Sequence, residues 1–300
     1  MTDATSRRVE WALRPVPPTP RAIVELIRAG TLDAELAATA WLLIEGRVPI
    51  IVAAPEAGMG RTTMLQALLD FLPSSVRTHE VRAEDESFTW LPQATELGWR
   101  GTPQAPDAPA AVRPATTVLL LPEIGDDVPG AVWGDEARVA VRAASIGYGL
   151  AATIRADGLQ GVVDRLRRAP VGLSDDELSR LGVVLVLDRD RAGSPRVAAA
   201  HYVRPVARDE HGHVQRLGPA VLATWDATTD TFEHFGWGVT PELAMRVGRR
   251  PGDFELEVDR RSAVLDGLVA AGTVAVDDVR QALAAAVAAD PTSVQEERPA

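Results

Sequence analysis

A glycine-rich turn lies at residues 55–63, Pro-Glu-Ala-Gly-Met-Gly-Arg-Thr-Thr, between an apolar β-branched segment and a segment with helical spacing. A turn in this context is typical of phosphate binding, because backbone amides and the helix N-terminus hold phosphate oxygens while a hydroxyl binds Mg²⁺. The full pattern is G-x-x-x-x-G-K-[ST]; Gly60 and Thr62 match it, and Gly58 adds flexibility. The sequence therefore indicates a phosphate-binding turn, and the alternative is a strand–turn–helix unit that binds no ligand.

Two positions of this turn depart from the pattern, since Pro55 stands at its first glycine and Arg61 at its lysine. Proline fixes φ at about −65° and removes one amide donor. Arginine keeps the positive charge, but its planar guanidinium cannot replace a compact ammonium group between two phosphates. We expect phosphate binding to survive both changes, and the stabilisation of a phosphoryl-transfer transition state to be impaired.

A candidate catalytic carboxylate, Glu123, follows the apolar segment at 118–121. We expect this segment to form a strand adjacent to the strand that precedes the turn. A carboxylate at the tip of such a strand can orient an attacking water or help to hold Mg²⁺ beside the phosphates. The alternative is a solvated residue at the end of a strand.

The elements that must position these residues alternate along the chain. Strands are predicted at 49–54, 117–121, 150–154, 183–187 and 197–206, and helices at 21–46 with a break at Gly30, 62–72, 136–145 and 159–167. This alternation predicts an α/β fold with a mostly parallel sheet covered on both faces. Residues 221–235 predict a β-hairpin, and helical patterns follow at 241–248, 254–271 and 276–289.

Composition excludes several functional classes. The 300 residues contain no cysteine, and all 31 basic residues are arginine, so disulfides, thiolate chemistry and a catalytic lysine are excluded. The net charge of −11 argues against direct nucleic-acid binding. The sequence has no apolar run long enough for a transmembrane segment and no signal peptide, so we expect a cytoplasmic chain.

The motifs together resemble the type II/IV secretion ATPases, the motors of type IV and Tad pili, archaella and type IV secretion, and the archaeal-type branch in particular. Residues 84–92, EDESFTWLP, resemble the family's Asp box, and residues 121–124, LPEI, its Walker B motif. Residues 147–157 resemble its His box. Residues 20–49 are similar to its lead-in helices, and the region after residue 220 to its C-terminal extension.

This resemblance implies a RecA-like P-loop core at 21–210, with a Pro/Ala-rich loop at 101–116, and a β-hairpin with helices at 211–290, between a flexible tail at 1–20 and a polar tail at 291–300. It implies ATP and Mg²⁺ as cofactors, Glu123 and Glu84 as catalytic residues, and Mg²⁺ held with Thr62 and Asp85. It also implies a homo- or hetero-oligomer that works with platform proteins at the inner membrane. The residues expected to hold the nucleotide are Gly58, Met59, Gly60, Arg61, Thr62 and Thr63.

The chain departs from the family pattern at positions that carry chemistry. Besides the degenerate Walker A turn, Phe88 stands at the second Glu of the Asp box and Pro122 at the Gly of Walker B. Gly125 stands where the family has Arg, and Tyr148 and Arg155 replace both histidines. The family's N-terminal domain has no counterpart in the short segment before Pro20. These departures favour an ATP-binding subunit whose hydrolysis is weak or lost; the alternative is a catalytically inactive paralogue that acts as a scaffold or regulator of a pilus or secretion machine.

Overall fold

A computed structural model describes residues 20–101, 112–208, 211 and 213–290 of the chain. The predicted tail at 1–20 except Pro20, the predicted tail at 291–300, and most of the predicted Pro/Ala-rich loop at 101–116 lie outside these ranges. Among the described residues, no helix has the length and apolar character needed to cross a membrane.

The described strands form one eight-stranded sheet in the order β10-β9-β6-β5-β1-β4-β3-β2, and a separate two-stranded sheet, β7-β8. The ladders from β5 across to β2 are parallel, and those from β5 to β10 are antiparallel. Their bounds are β1 (Ile50–Ala54), β2 (Arg77–Glu80), β3 (Thr117–Ile124), β4 (Gly149–Arg155), β5 (Gly182–Arg189), β6 (Pro195–Val203), β7 (Ala207–Arg208), β8 (Val214–Gln215), β9 (Ala220–Asp226) and β10 (Thr231–His234).

The described helices lie close to the predicted ones. They are α1 (Ile23–Arg28), α2 (Ala34–Glu45), α3 (Arg61–Leu69), α4 (Gly134–Ala143), α5 (Leu159–Arg167), α6 (Asp175–Leu178), α7 (Thr240–Arg246), α8 (Pro251–Ala270) and α9 (Val276–Ala288). The break predicted at Gly30 is confirmed, since this glycine has φ of +71° and lies between α1 and α2.

Two apolar clusters cover the two faces of the sheet. Along β1, Ile50, Val52 and Ala54 belong to a cluster built with α1, α2, α3 and the C-terminal helices. Ile51 and Ala53 belong to a second cluster built with α4 and α5. Every residue of β1 is buried, as expected for a central parallel strand. The predicted α/β class, a mostly parallel sheet covered on both faces, is confirmed.

The C-terminal hairpin continues the main sheet. Strand β9 pairs with β6 in antiparallel register, and β10 pairs with β9, which confirms the hairpin predicted at 221–235. Helix α8, which follows the hairpin and α7 in the chain, packs on α2. Strands from both sides of the predicted boundary at residue 210 therefore belong to one continuous sheet. Helix α2, which leads into β1, is packed against α8.

Candidate functional site

The glycine-rich turn leaves the central strand β1 at Ala54 and enters α3 at Arg61. Gly58 and Gly60 have φ of +75° and +85°, a left-handed conformation that a residue with a Cβ adopts only with strain. Among the described residues, apart from its two chain neighbours, nothing lies within 4 Å of the position that a Cβ on Gly58 would take. The turn therefore opens to free space at the carboxyl edge of the sheet.

The side chain of Met59 packs this turn against the hydrophobic core. Its side chain is 3% exposed and belongs to the apolar cluster beneath α3. Because the side chain of Met59 is buried in the core, only its backbone N–H is left to make the predicted contact with a nucleotide. Thr62 is exposed and Thr63 half-buried in the first turn of α3.

Backbone donors at this turn are unused. Within the described part of the chain, the N–H groups of residues 56–63 donate no intramolecular hydrogen bond, and the first bond of α3 runs from the N–H of Met64 to the carbonyl of Gly60 at 2.8 Å. The first N–H groups of any helix lack an intrahelical acceptor, and the helix dipole adds partial positive charge there. The turn and the start of α3 can therefore hold an anion.

Glu123 lies at the carboxyl end of β3, and both of its carboxylate oxygens have partners. Oε1 accepts a hydrogen bond from Nη1 of Arg61 at 2.9 Å, and Oε2 lies 2.8 Å from Oγ1 of Thr153. The Thr153 hydroxyl is also 2.5 Å from the carbonyl oxygen of Pro122, so its one proton is shared between two acceptors. The side chains of Arg61 and Glu123 are 9% and 17% exposed, which makes this a largely buried ion pair.

The electrostatics of Arg61 reflect this burial. Burial lowers the pKa of Arg61, the nearby Arg155 lowers it further, and Glu123 opposes both effects. Arginine remains charged at any ordinary pH. The positive charge of Arg61 therefore lies near the positive charge of Arg155, and Glu123 is its main compensating anion.

The predicted adjacency of the two strands is wrong. Strand β4 lies between β1 and β3, and pairs with β1 through Val52 and Thr153 and with β3 through Ala152 and Leu121. Glu123 is therefore two strands away from the strand of the turn. The long side chain of Arg61 and the hydroxyl of Thr153, which lies on the intervening strand, close this gap.

A second group of charges surrounds this pair. Arg155, at the end of β4, contacts Asp127 at 2.5 Å, and Nη2 of Arg165 lies 3.0 Å from both Asp126 and Asp127. Burial acts to raise the pKa of Asp127, but Arg165 and Arg155 outweigh it and lower that pKa. The Arg165 guanidinium also lies 5.8 Å from the ring centroid of Trp133. Arg165 thus has partners within its own chain.

The segment that resembles an Asp box contains one buried acid, and it is Glu86. Glu84 and Asp85 are exposed, whereas Glu86 is 8% exposed. The carboxylate of Glu86 accepts hydrogen bonds from the indole Nε1 of Trp90 and from the backbone N–H groups of Arg82, Ser87 and Phe88. Sequence reasoning missed this structural role, although the aromatic residues that follow Glu86 were a signal of burial.

The roles predicted for Glu84 and Asp85 stay predictions. Glu84 is near enough to Glu136 to contribute to its raised pKa, after burial and Asp135. Among the described residues, no group of three His, Cys, Asp or Glu side chains forms a metal site. Mg²⁺ beside a nucleotide needs no such group, because phosphates and water supply most of its ligands.

A separate cleft of about 700 Å³ lies between residues 95–100, the start of α4 and residues 169–172. Its arginines already have partners: Nε of Arg138 donates to the carbonyl of Val171 at 2.7 Å, and Nε of Arg142 donates to Glu177 at 2.5 Å. They fasten α4 to its neighbours, so the turn after β1 is the better candidate for an anion site.

Comparisons with known proteins give relatives without an assigned activity. No protein-family model matches the chain. It is 29% identical over 170 residues to the uncharacterized protein MJ1287 of Methanocaldococcus jannaschii, covering 53% of this chain and 59% of that protein. It is 22% identical over 282 residues to the uncharacterized protein MJ0900 of the same organism, covering 90% of this chain and 49% of that protein. The chain thus spans about half to three-fifths of the length of these relatives.

Among solved structures, the VirB11 ATPase of the Brucella suis type IV secretion system, in complex with sulphate, matches with 20% identity and a TM-score of 0.35, covering 67% of this chain and 65% of that one. The ATPase DotB of Legionella pneumophila matches with 16% identity and a TM-score of 0.32, covering 56% of this chain and 49% of that one. What this chain does is therefore inferred from its own residues.

Proposed function

We propose that this chain is an ATP- and Mg²⁺-binding subunit of the secretion-ATPase kind, with weak or absent hydrolysis. The observation that carries the proposal is the set of unpaired N–H groups at residues 56–63, which line an open turn at the N-terminus of α3. In open α/β sheets, ligands bind at the carboxyl edge where successive connections run in opposite directions. Strand β1 occupies that position, since β4 and β5 flank it on its two sides.

Weak hydrolysis follows from the state of Glu123. A carboxylate that orients a water must offer it a free lone pair within hydrogen-bond reach. In this chain one oxygen of Glu123 is bound to Arg61 and the other to Thr153. Arg155 adds a positive charge beside this pair, where the related motif has histidine. ATP can bind to the backbone of the turn, whereas Glu123 is held by Arg61 and Thr153 and has only the second lone pair of each oxygen left for a water.

The wider role follows from the resemblance of the motifs. We propose that the chain assembles as a homo- or hetero-oligomer and acts with platform proteins of a pilus or secretion machine at the inner membrane. Its net charge of −11 supports protein partners over nucleic acid. The inactive paralogue, a scaffold or regulator of such a machine, is favoured as the second candidate by the Arg61–Glu123 ion pair.

Calorimetric titration of the purified full chain with ATP, in the presence and absence of Mg²⁺, tests nucleotide binding. We expect Mg²⁺-dependent binding that Thr62→Val weakens, because the exposed hydroxyl at the start of α3 is the proposed Mg²⁺ ligand. Thr78→Val is the matched control, since Thr78 is an exposed threonine on the edge strand β2. Absence of binding at millimolar Mg-ATP would overturn the proposal.

Steady-state ATP turnover tests the catalytic part. We expect turnover close to background for the wild-type chain. Robust turnover that Glu123→Gln abolishes would contradict both the weak hydrolysis and the inactive paralogue, and would show that Glu123 leaves Arg61 during the reaction.

A further inference from the structure

Arg61 lies at the start of α3, next to the phosphate-binding turn, and its side chain contacts Glu123. Its backbone belongs to the first turn of α3, directly after Gly60, so its side chain starts at the phosphate-binding turn. In the described part of the chain, its only salt-bridge partner is Glu123 at 2.9 Å. Phosphate oxygens held by the N–H groups of the turn would lie at the base of the same side chain. A guanidinium binds phosphate through parallel hydrogen bonds at least as well as it binds a carboxylate.

We propose, building on the function proposed above, that the phosphates of a bound nucleotide and Glu123 compete for Arg61. Without a nucleotide, the ion pair binds the guanidinium of Arg61 to Oε1 of Glu123. When phosphate binds, the guanidinium transfers to it and Oε1 is released. The hydroxyl of Thr153 keeps its 2.8 Å contact with Oε2, so the carboxylate stays at the end of β3 and does not follow the arginine.

This competition has a measurable consequence for affinity. A ligand that must first break an interaction of the free protein binds more weakly by the free energy of that interaction. The nucleotide-binding site is therefore held in a low-affinity state by its own carboxylate. Removing the carboxylate should make binding tighter, although Glu123 is the residue that resembles a catalytic acid.

The experiment is calorimetric titration of the full chain with Mg-ADP, which avoids hydrolysis. For Glu123→Gln we expect affinity increased by about tenfold, the scale of one partly buried ion pair. Glu233→Gln is the charge control, because Glu233 is exposed on β10, the edge strand farthest from the site, and its removal does not free Arg61. We expect its affinity to stay within about threefold of the wild type, because exposed charges interact weakly.

Two further variants separate the ion pair from the general effect of charge. Glu123→Asp keeps the charge but withdraws the carboxylate by one methylene, so we expect it also to bind Mg-ADP more tightly than the wild type. In the double variant with Arg61→Gln and Glu123→Gln, the gain should disappear, because no guanidinium remains to transfer. Thermal unfolding of each variant without ligand checks that it is folded.

The outcomes are distinct. If wild type and Glu123→Asp bind Mg-ADP equally, or if the double variant stays as tight as Glu123→Gln, the competition is overturned while nucleotide binding stands. If neither the wild type nor any variant binds Mg-ADP at millimolar concentration, the proposed function fails, and the competition fails with it.

Discussion

Arg261 of α8 is fully buried, and its replacement by methionine should cause a large loss of stability. Its Nε lies 2.6 Å from Glu257, its Nη1 lies 2.5 Å from Glu45 of α2, and its Nη2 lies 3.6 Å from Asp290. The guanidinium also lies 4.5 Å from the ring centroid of Trp41. This one side chain therefore connects α8 and the end of the described chain to the helix that leads into β1.

The magnitude follows from what Arg261→Met leaves behind. Removing one partner of a buried ion pair costs about 3–5 kcal/mol, because the remaining charge stays buried without compensation. Here Glu257 keeps Arg260 and Asp290 keeps Arg249, so the loss should lie near the lower end of that range. A cation–π contact with a buried ring adds about 1 kcal/mol. We expect the free energy of unfolding to fall by about 3–4 kcal/mol.

Urea denaturation, followed by tryptophan fluorescence, measures this change. Arg260→Met is the matched control, because Arg260 is the next residue of α8 and bonds the same Glu257, but its side chain is 31% exposed. We expect the control to lose about 1 kcal/mol. If Arg261→Met loses no more than Arg260→Met, the buried arginine does not act as the electrostatic centre of this contact, and the reasoning is refuted.

Two further predictions concern His234 and Glu86. His234 lies 2.7 Å from Asp33 and 3.4 Å from Glu35. Burial acts to lower the pKa of His234, but the two carboxylates outweigh it and raise that pKa. The contact of protonated His234 with these carboxylates therefore stabilises the fold below pH of about 6.5, and this stabilisation is lost as pH rises through the raised pKa. His234→Gln should therefore flatten the decline of unfolding free energy above pH of about 6.5, measured by urea denaturation at a series of pH values, and an unchanged decline would contradict it. Glu86→Gln should cost about 1–3 kcal/mol in the same assay, because an amide nitrogen would face N–H donors. Glu84→Gln, on an exposed residue, should change the free energy by less than about 0.5 kcal/mol, and equal losses for the two variants would rule out the buried role of Glu86.

The secondary structure was predictable where apolar periodicity was strong. Helix α5 has the bounds predicted for it, and the buried strands β1 and β4 lie within one or two residues of their predictions. Strand β2 was missed because Arg-Thr-His-Glu is an exposed edge strand that has no apolar alternation. Its place in the sheet comes from pairing with β3, a contact between residues about forty positions apart.

The site was predictable in its local part only. Gly58, Gly60 and the start of α3 follow from the spacing of the turn, because that geometry is set by neighbouring residues. The partner of Arg61 was not predictable, since Glu123 is 62 residues away and lies two strands from β1, with β4 between them. The order of strands in a sheet is a property of the whole fold, which the spacing of a motif does not contain.

The replacements at the site are consistent with one another. A lysine at position 61 would present one compact charge, whereas the longer Arg61 reaches across the end of β4 to Glu123. Arg155 keeps a permanent charge near Arg61 and is itself compensated by Asp127. Two arginines and two carboxylates thus neutralise one another beside a turn whose N–H groups at residues 56–63 have no partner among the described residues. A site built this way can hold an anion, because backbone N–H groups do not depend on these side chains. Glu123 is bound to Arg61 unless the anion itself separates this ion pair. Binding of the anion and release of Glu123 would then occur together.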